Sequence, residues 1–234
     1  MPVRSTMRIL HLSELHGVDR FYEWTKAEVR RNPYDALVVS GDLLNLFYIE
    51  HIEGQIGMVR DWAQGLPAGL PVFVVSGNHD TFSLHPLLQE ARWLKTLMRA
   101  NVFTDGDATE LGGFLFECVG WGSVPVTNSA LPRIVVRHCP PALSLAGTDH
   151  LGEDLGDPEL SQQLQLASFR TWLVLSGHVH EPKCWHDSGR FTCLNPGVRL
   201  DVAVPNHIVI DTDASTITRF GDGRQQTVPL KKCH

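Results

Sequence analysis

Five times in this chain an apolar run ends in a turn that carries metal-ligand side chains, and no other feature limits the possible folds so tightly. Ile9 to Leu12 runs into Ser13-Glu14-Leu15-His16-Gly17, and Leu37 to Val39 into Ser40-Gly41-Asp42-Leu43. Leu70 to Val75 runs into Ser76-Gly77-Asn78-His79-Asp80. Ile134 to Arg137 meets His138, and Trp172 to Ser176 meets Gly177-His178-Val179-His180. Short apolar runs bounded by turn residues read as buried strands. In open α/β sheets the carboxyl ends of such strands are where ligands bind.

Between the first strands lie segments with helical spacing. Gly17 to Arg31 places Phe21, Trp24 and Val29 among charged residues and stops at Asn32-Pro33. Ile49 to Leu66 repeats Ile52, Ile56, Val59 and Trp62, and Ser83 is placed to cap a helix from Leu84 to Ala100 whose apolar face includes Met98. Strand, helix, strand, helix, strand is the pattern of a parallel sheet. The second half changes texture. Thr109 to Leu111 and Phe114 to Val119 flank Gly112-Gly113, a hairpin signal. Pro140 to Pro158 is a long irregular stretch, Glu159 to Ser168 is weakly helical, and further strands are expected at 173–175, 191–194, 206–210 and 215–220. The expected fold is α/β, with two packed mixed β-sheets flanked by helices, in a single domain spanning residues 1–234.

Hydrophobic content of 43% with 20% charged residues is that of an ordinary globular chain, and 234 residues can bury a sizeable core. The formal net charge of −6 argues against a nucleic-acid binder, which would carry a basic patch. It leaves room for a phosphate ligand, because bound metal ions supply their own positive field. Five cysteines with no Cys-x-x-Cys pair suggest reduced thiols. No apolar run reaches membrane length, and residues 1–6 read as a loose leader before Met7 opens the first strand. The expected location is cytoplasmic, with no membrane partner.

The strand-end groups are Glu14, His16, Asp42, Asn78, His138, His178 and His180. Carboxylates, an amide and imidazoles suit manganese, iron, zinc or nickel better than calcium or magnesium. Seven such groups exceed what one tetrahedral ion needs and suffice for two ions. Two divalent ions balanced by the carboxylates of Glu14 and Asp42 would leave a net charge of about +2, which attracts phosphate.

At these residues the chain resembles the calcineurin-like metallophosphoesterases. The family pattern appears in order as Glu14-Leu15-His16, Gly41-Asp42, Gly77-Asn78-His79-Asp80, His138 and Gly177-His178-Val179-His180, and Leu194-Asn195-Pro196-Gly197 is similar to small members. The resemblance implies a four-layer αββα sandwich and a metal-dependent phosphoric ester hydrolase that uses a dinuclear centre, manganese favoured, and a metal-bridging hydroxide as nucleophile. It implies Glu14, His16, Asp42 and His180 as ligands of one ion, with Asp42 bridging to a second held by Asn78, His138 and His178. His79 is implied as the group that protonates the leaving oxygen, with Asp80 beside it to orient it or hold its charge. Asn45 resembles a position supporting the site, and Arg199 is placed to reach a phosphate oxygen. The expected substrate is a small phosphodiester of cyclic-nucleotide or glycerophosphodiester type. A phosphomonoester or phosphoprotein substrate, or a catalytically weak scaffold with this fold, are the alternatives.

One position departs from the pattern. Glu14 stands where the family has Asp, and its extra methylene moves the carboxylate by up to about 1.5 Å. Elsewhere the plainer reading holds. His11 is expected in the core, Cys139 as a small buried hydrophobe, Trp24, Trp62 and Trp93 as helix packing, and residues 153–157 as a solvated acidic loop. Trp121 and Trp185 fall in loops or strand edges, where a ring can stack on a substrate.

Overall fold

The computed structural model describes residues 6–97, 99–166 and 171–231. In chain order the first half contains β1 (Arg8–Leu12), α1 (Asp19–Arg31), β2 (Ala36–Ser40), α2 (Ile52–Gly65), β3 (Val72–Val75) and β4 (Val102–Phe103). Then come β5 (Ala108–Leu111), β6 (Phe114–Val119), β7 (Arg133–Arg137), α3 (Pro158–Gln165), β8 (Thr171–Leu175), β9 (His186–Ser188) and β10 (Thr192–Leu194). The chain ends with β11 (His207–Asp211), β12 (Thr216–Gly221) and β13 (Arg224–Pro229).

These strands form two mixed sheets. One has seven strands in the order β13-β12-β11-β1-β2-β3-β4, and the other six in the order β5-β6-β7-β8-β10-β9. In the first, β1 to β4 run parallel and β11 to β13 close the edge antiparallel. In the second, β6, β7, β8 and β10 are parallel, with β5 and β9 as antiparallel edges.

Strand alternation explains the layering, because successive side chains point to opposite faces. Leu10, Leu12, Leu37, Val39, Val72 and Val74 pack against α1 and α2 through Phe21, Tyr22, Val59 and Trp62. The intervening residues Ile9, Val38, Phe73 and Val75 pack against Phe116, Ile134, Val136 and Leu175 of the other sheet. Phe73 stacks on Phe116 at 4.4 Å between ring centroids. On the far face Val135 and Val174 meet Leu160 and Leu164 of α3. The result is the expected helix, sheet, sheet, helix sandwich, and the carboxyl ends of β1, β2, β3, β7 and β8 meet at one edge.

The predicted helix from Leu84 to Ala100 is not an α-helix. Residues Gln89–Thr96 form an interrupted 3₁₀ stretch, with Glu90 at φ 52° and Ala91 at φ 48°. Pro86 lies inside the expected helix, lacks an N–H and disfavours the helical region at His85. The segment is tied down instead by tertiary bonds, Phe82 N–H to the Leu88 carbonyl and the Trp93 indole N–H to the Asp80 carbonyl at 2.9 Å. Met98 lies outside the described residues. The helix expected from Ile49 begins as a 3₁₀ turn, Leu46–His51, before α2. α3 starts where Pro158 sits in its first turn and Asp157 caps it; residues 167 and 168 of the predicted helix lie outside the described residues, as do residues 1–5 of the leader. The Gly112-Gly113 hairpin is present, with both glycines at positive φ as a type I′ turn requires. β4, β9 and β13 went unpredicted because they are two or three residues long or, in β13, polar and exposed.

Trp62 is 1% exposed and packs edge-on against Tyr22. Trp62→Ala is expected to destabilise the protein by about 3–5 kcal/mol, read as a lowered midpoint in urea denaturation.

Candidate metal centre

Three of the five motifs leave their strands through a strained turn. Glu14, His16, Asp42 and His178 all have positive φ, between 45° and 68°. Left-handed backbone at non-glycine residues costs on the order of 1–3 kcal/mol each, and such residues cluster at functional sites. The motif glycines allow the turns to interlock. A Cβ on Gly41 would lie 2.5 Å from His138 Nδ1, one on Gly77 2.7 Å from the Asp42 nitrogen, and one on Gly177 2.6 Å from Glu14 Oε1. The glycines therefore serve close approach between strands of both sheets.

The turns bring the predicted residues together. Glu14 Oε2 lies 3.0 Å from His16 Nε2 and 3.1 Å from His180 Nε2, and those two nitrogens are 3.4 Å apart. Asp42 Oδ2 is 3.8 Å from His16 Nε2, and Oδ1 is 3.4 Å from His138 Nε2. Asn78 Oδ1 lies 3.0 Å from both His138 Nε2 and His178 Nδ1. Among the described residues, three overlapping triads have ligand atoms within 4.8 Å of one another: Glu14-His16-His180, His16-Asp42-His79 and Glu14-Asp42-His138.

Donor chemistry tests whether such a site suits a metal. His138 Nδ1 lies 2.9 Å from the Ser40 carbonyl, which accepts its proton, so Nε2 is the ring atom that faces Asp42 and Asn78. That is how metal-binding histidines are oriented by a neighbouring acceptor. Buried nitrogen lone pairs and carboxylate or amide oxygens aimed at common points fit a transition-metal ion. Glu14 fits as well. It is fully buried; its Oε1 accepts from the His178 backbone N–H at 2.5 Å and from the Ser13 hydroxyl at 3.0 Å. One oxygen is thus anchored and the other is presented to His16 and His180, so the extra methylene is accommodated across the turn.

The charges interact strongly. Burial opposes ionisation of Glu14, but His138, His16 and His180 outweigh it and hold its carboxyl well below the usual range. Burial also opposes charge on His138, yet Asp42 and Glu14 raise it to about 9. Burial and the nearby His138 lower His178. Burial lowers His79 too, keeping it near a neutral imidazole.

His79 is half-buried at the rim. Its backbone N–H donates to Asp42 Oδ1 at 2.8 Å, and its Nδ1 accepts from the Leu46 N–H at 3.3 Å, which leaves the Nε2 proton on the other side of the ring. Asp80 does not orient that ring, contrary to the sequence expectation. Its buried carboxylate accepts from the backbone N–H groups of Leu43, Leu44 and Gly77 at 3.2, 2.9 and 2.8 Å. It clamps the Asp42 turn to the Asn78 turn, because a buried N–H must find an acceptor. Asn45 caps the 3₁₀ turn through Phe47 N–H. Arg199 is engaged with Asp201 at 2.7 Å rather than reaching the centre.

Other expectations hold. His11 is fully buried against Ser40, and burial drives its pKa down to about 3. Burial pushes the Cys139 thiol up to about 12, which suits packing rather than nucleophilic attack. Within residues 153–157, Asp154 and Asp157 cap local turns, and Asp157 pairs with Arg137. Sequence reasoning missed a set of supporting serines. Ser13, Ser40, Ser76 and Ser176 each end a strand, are buried, and bond across the turns, Ser76 to Asp105 at 2.6 Å and Ser176 to the Leu194 carbonyl at 3.0 Å. Their repetition just before Glu, Gly-Asp, Gly-Asn and Gly-His was the available signal. Asn195 completes the frame, donating to the Gly177 and Val179 carbonyls and accepting from Gly197 N–H.

An αββα sandwich with imidazoles and carboxylates converging at the strand ends defines a metallophosphoesterase fold. The model of the calcineurin-like phosphoesterases matches residues 7–182, and the chain belongs to that family of metal-dependent phosphoric ester hydrolases. Solved structures share the fold at low identity. TT1561 of Thermus thermophilus is 16% identical, with a TM-score of 0.61 over 97% of this chain and 100% of that one. A dimetal phosphatase from Danio rerio is 9% identical, with a TM-score of 0.61 over 96% and 99%. An archaeal phosphodiesterase is 15% identical, with a TM-score of 0.51 over 95% and 100%. Comparison with curated protein sequences gave no match. No described helix is long and apolar enough to cross a membrane.

Asp80→Ala strands three buried N–H donors, so the metal-free protein is expected to lose about 1–3 kcal/mol or more in chemical denaturation. His11 has a folded-state pKa of about 3, below its unfolded value of about 6.5. Its contribution is complete above the unfolded value and is lost as pH falls toward the folded one. Across that window this group should cost about 1.4 kcal/mol per pH unit, and His11→Leu should flatten the slope of unfolding free energy against pH.

Proposed function

We propose that the chain hydrolyses a small phosphodiester at a dinuclear centre holding two divalent transition-metal ions, with manganese favoured. Glu14, His16, Asp42 and His180 would hold one ion, and Asn78, His138 and His178 the other, with Asp42 shared. The observation that carries this reading is the convergence of His16 Nε2 and His180 Nε2 on one buried oxygen of Glu14, beside the second cluster around Asn78 Oδ1. Ions bound there would supply Lewis-acid charge for the phosphoryl oxygens and lower the pKa of a water.

The protein's own groups have separable tasks. Asp42 receives the His79 N–H and lies between the two clusters, which supports a bridging role. The His79 tautomer, set by the Leu46 N–H on Nδ1, presents an Nε2 proton for a leaving alkoxide. Asp80 and Asn195 position the turns and touch no reacting atom. Because the donors come from both sheets, we take residues 1–234 as one functional domain, acting on a small-molecule ester without nucleic acid. The four described cysteines form no disulfide, which supports a cytoplasmic location.

The test combines metal analysis with two esters. Purified protein is expected to carry divalent metal and, with manganese, to cleave bis-p-nitrophenyl phosphate faster than p-nitrophenyl phosphate. His79→Asn should lower turnover of an alkyl-leaving diester by about 10²- to 10⁴-fold and affect the p-nitrophenyl diester far less, since that leaving group departs without a proton. Faster monoester cleavage would assign a phosphomonoesterase. No turnover of either with any first-row metal would assign a scaffold.

A further inference from the structure

A cleft of about 940 Å³ opens next to the centre, beyond the ends of β3 and β6. Trp121 stands between the two. Its ring lies 5.4 Å from the His178 ring and 5.7 Å from the His138 ring, and it remains 38% exposed. The backbone that carries the indole is anchored. The Trp121 backbone N–H donates to Ser76 Oγ at 2.9 Å, and Ser76 in turn donates to the half-buried Asp105 carboxylate at 2.6 Å. An aromatic face on an anchored backbone, set beside the His138 and His178 rings and partly open to a cleft, is a ready stacking surface.

The lining narrows the ligand. Thr81, Ser83 and Ser123 contribute hydroxyls, while Asp105, Glu117 and Glu90 contribute carboxylates. No Lys, Arg or His lines the cleft among the described residues. The two inner carboxylates are engaged, Asp105 by Ser76, and Glu117 by the Val126 and Thr127 N–H groups at 2.8 Å and by the Arg133 guanidinium at 3.2 Å. A second anionic group would therefore meet hydroxyls and carboxylates, with no free cationic side chain among the described lining residues. A flat, uncharged group bearing hydroxyls or N–H donors meets both the ring and the lining.

Resting on the phosphodiesterase reading, we infer that Trp121 and this cleft bind the organic group of the ester, and that this group is a nucleoside whose base stacks on the Trp121 indole. The cleft then sets specificity at the ester group, while the imidazole and carboxylate cluster handles the phosphoryl group. Trp121 touches substrate and leaves the bonds being broken to the centre.

Two substrates with one leaving group test this: the p-nitrophenyl ester of thymidine 5′-phosphate and methyl p-nitrophenyl phosphate. The wild-type, manganese-loaded protein should favour the nucleoside ester in kcat/KM by about tenfold or more, in line with base–aromatic stacking. Trp121→Ala should bring the ratio close to one, and Trp121→Phe should retain most of it. A ratio unchanged in Trp121→Ala overturns the inference. Independently of turnover, millimolar thymidine added to the full chain should shift the Trp121 indole N–H resonance, assigned by its loss in Trp121→Phe. Absence of that shift also overturns it. A shift without hydrolysis of either ester would defeat the phosphodiesterase reading and leave the nucleoside cleft standing.

Discussion

Everything at this site depends on how closely the strand-end turns of two sheets approach one another. At Gly41, Gly77 and Gly177 there is no space for a Cβ, because His138, Asp42 and Glu14 occupy it. Only that contact allows donors from β1, β2, β3, β7 and β8 to face common points. The left-handed backbone of Glu14, His16, Asp42 and His178 belongs to the same constraint, since an extended residue at those positions would carry its side chain elsewhere.

Strain of that kind persists only when the surroundings hold it. Here the holding groups are buried and polar. Asp80 ties the Asp42 and Asn78 turns together by three backbone bonds, and Asn195 ties down the His178 turn. Four serines at the strand ends cross-link the same region. The apolar sandwich behind them supplies the stiffness, with Phe73 and Phe116 stacked between the sheets and Trp62 closing the helical side. Packing thus stabilises the fold as a whole, and the bonded turns spend part of that stability on geometry.

Glu14 illustrates how such a frame absorbs a change of side-chain length. An aspartate there would have one short reach to serve both the turn and the imidazoles. Glutamate instead divides its two oxygens, one to Ser13 and the His178 N–H, the other toward His16 and His180. The departure from the family pattern becomes an arrangement with its own hydrogen-bond logic.

The chain's order of residues determined by itself the buried strands, the glycine-bearing turns at their ends and the kinds of donor atoms those turns carry. Those properties are local: apolar runs, residue size and ligand chemistry are written along the chain, so the alternation of β1, α1, β2, α2 and β3 and the donors from Glu14 to His180 were legible. Tertiary structure alone decided which partner each polar group meets. Asp80 sits beside His79 in sequence but faces backbone N–H groups 36 and 37 residues away. The segment after His85 has helical spacing yet follows bonds to Asp80 and Leu88, because Pro86 weakens the helix and Trp93 finds a buried acceptor. Trp121 gains its place beside His138 and His178 only once β6 lies next to β7 and Ser76 has come within reach. Hydrogen bonds and close contacts between distant segments depend on distances that no local pattern encodes.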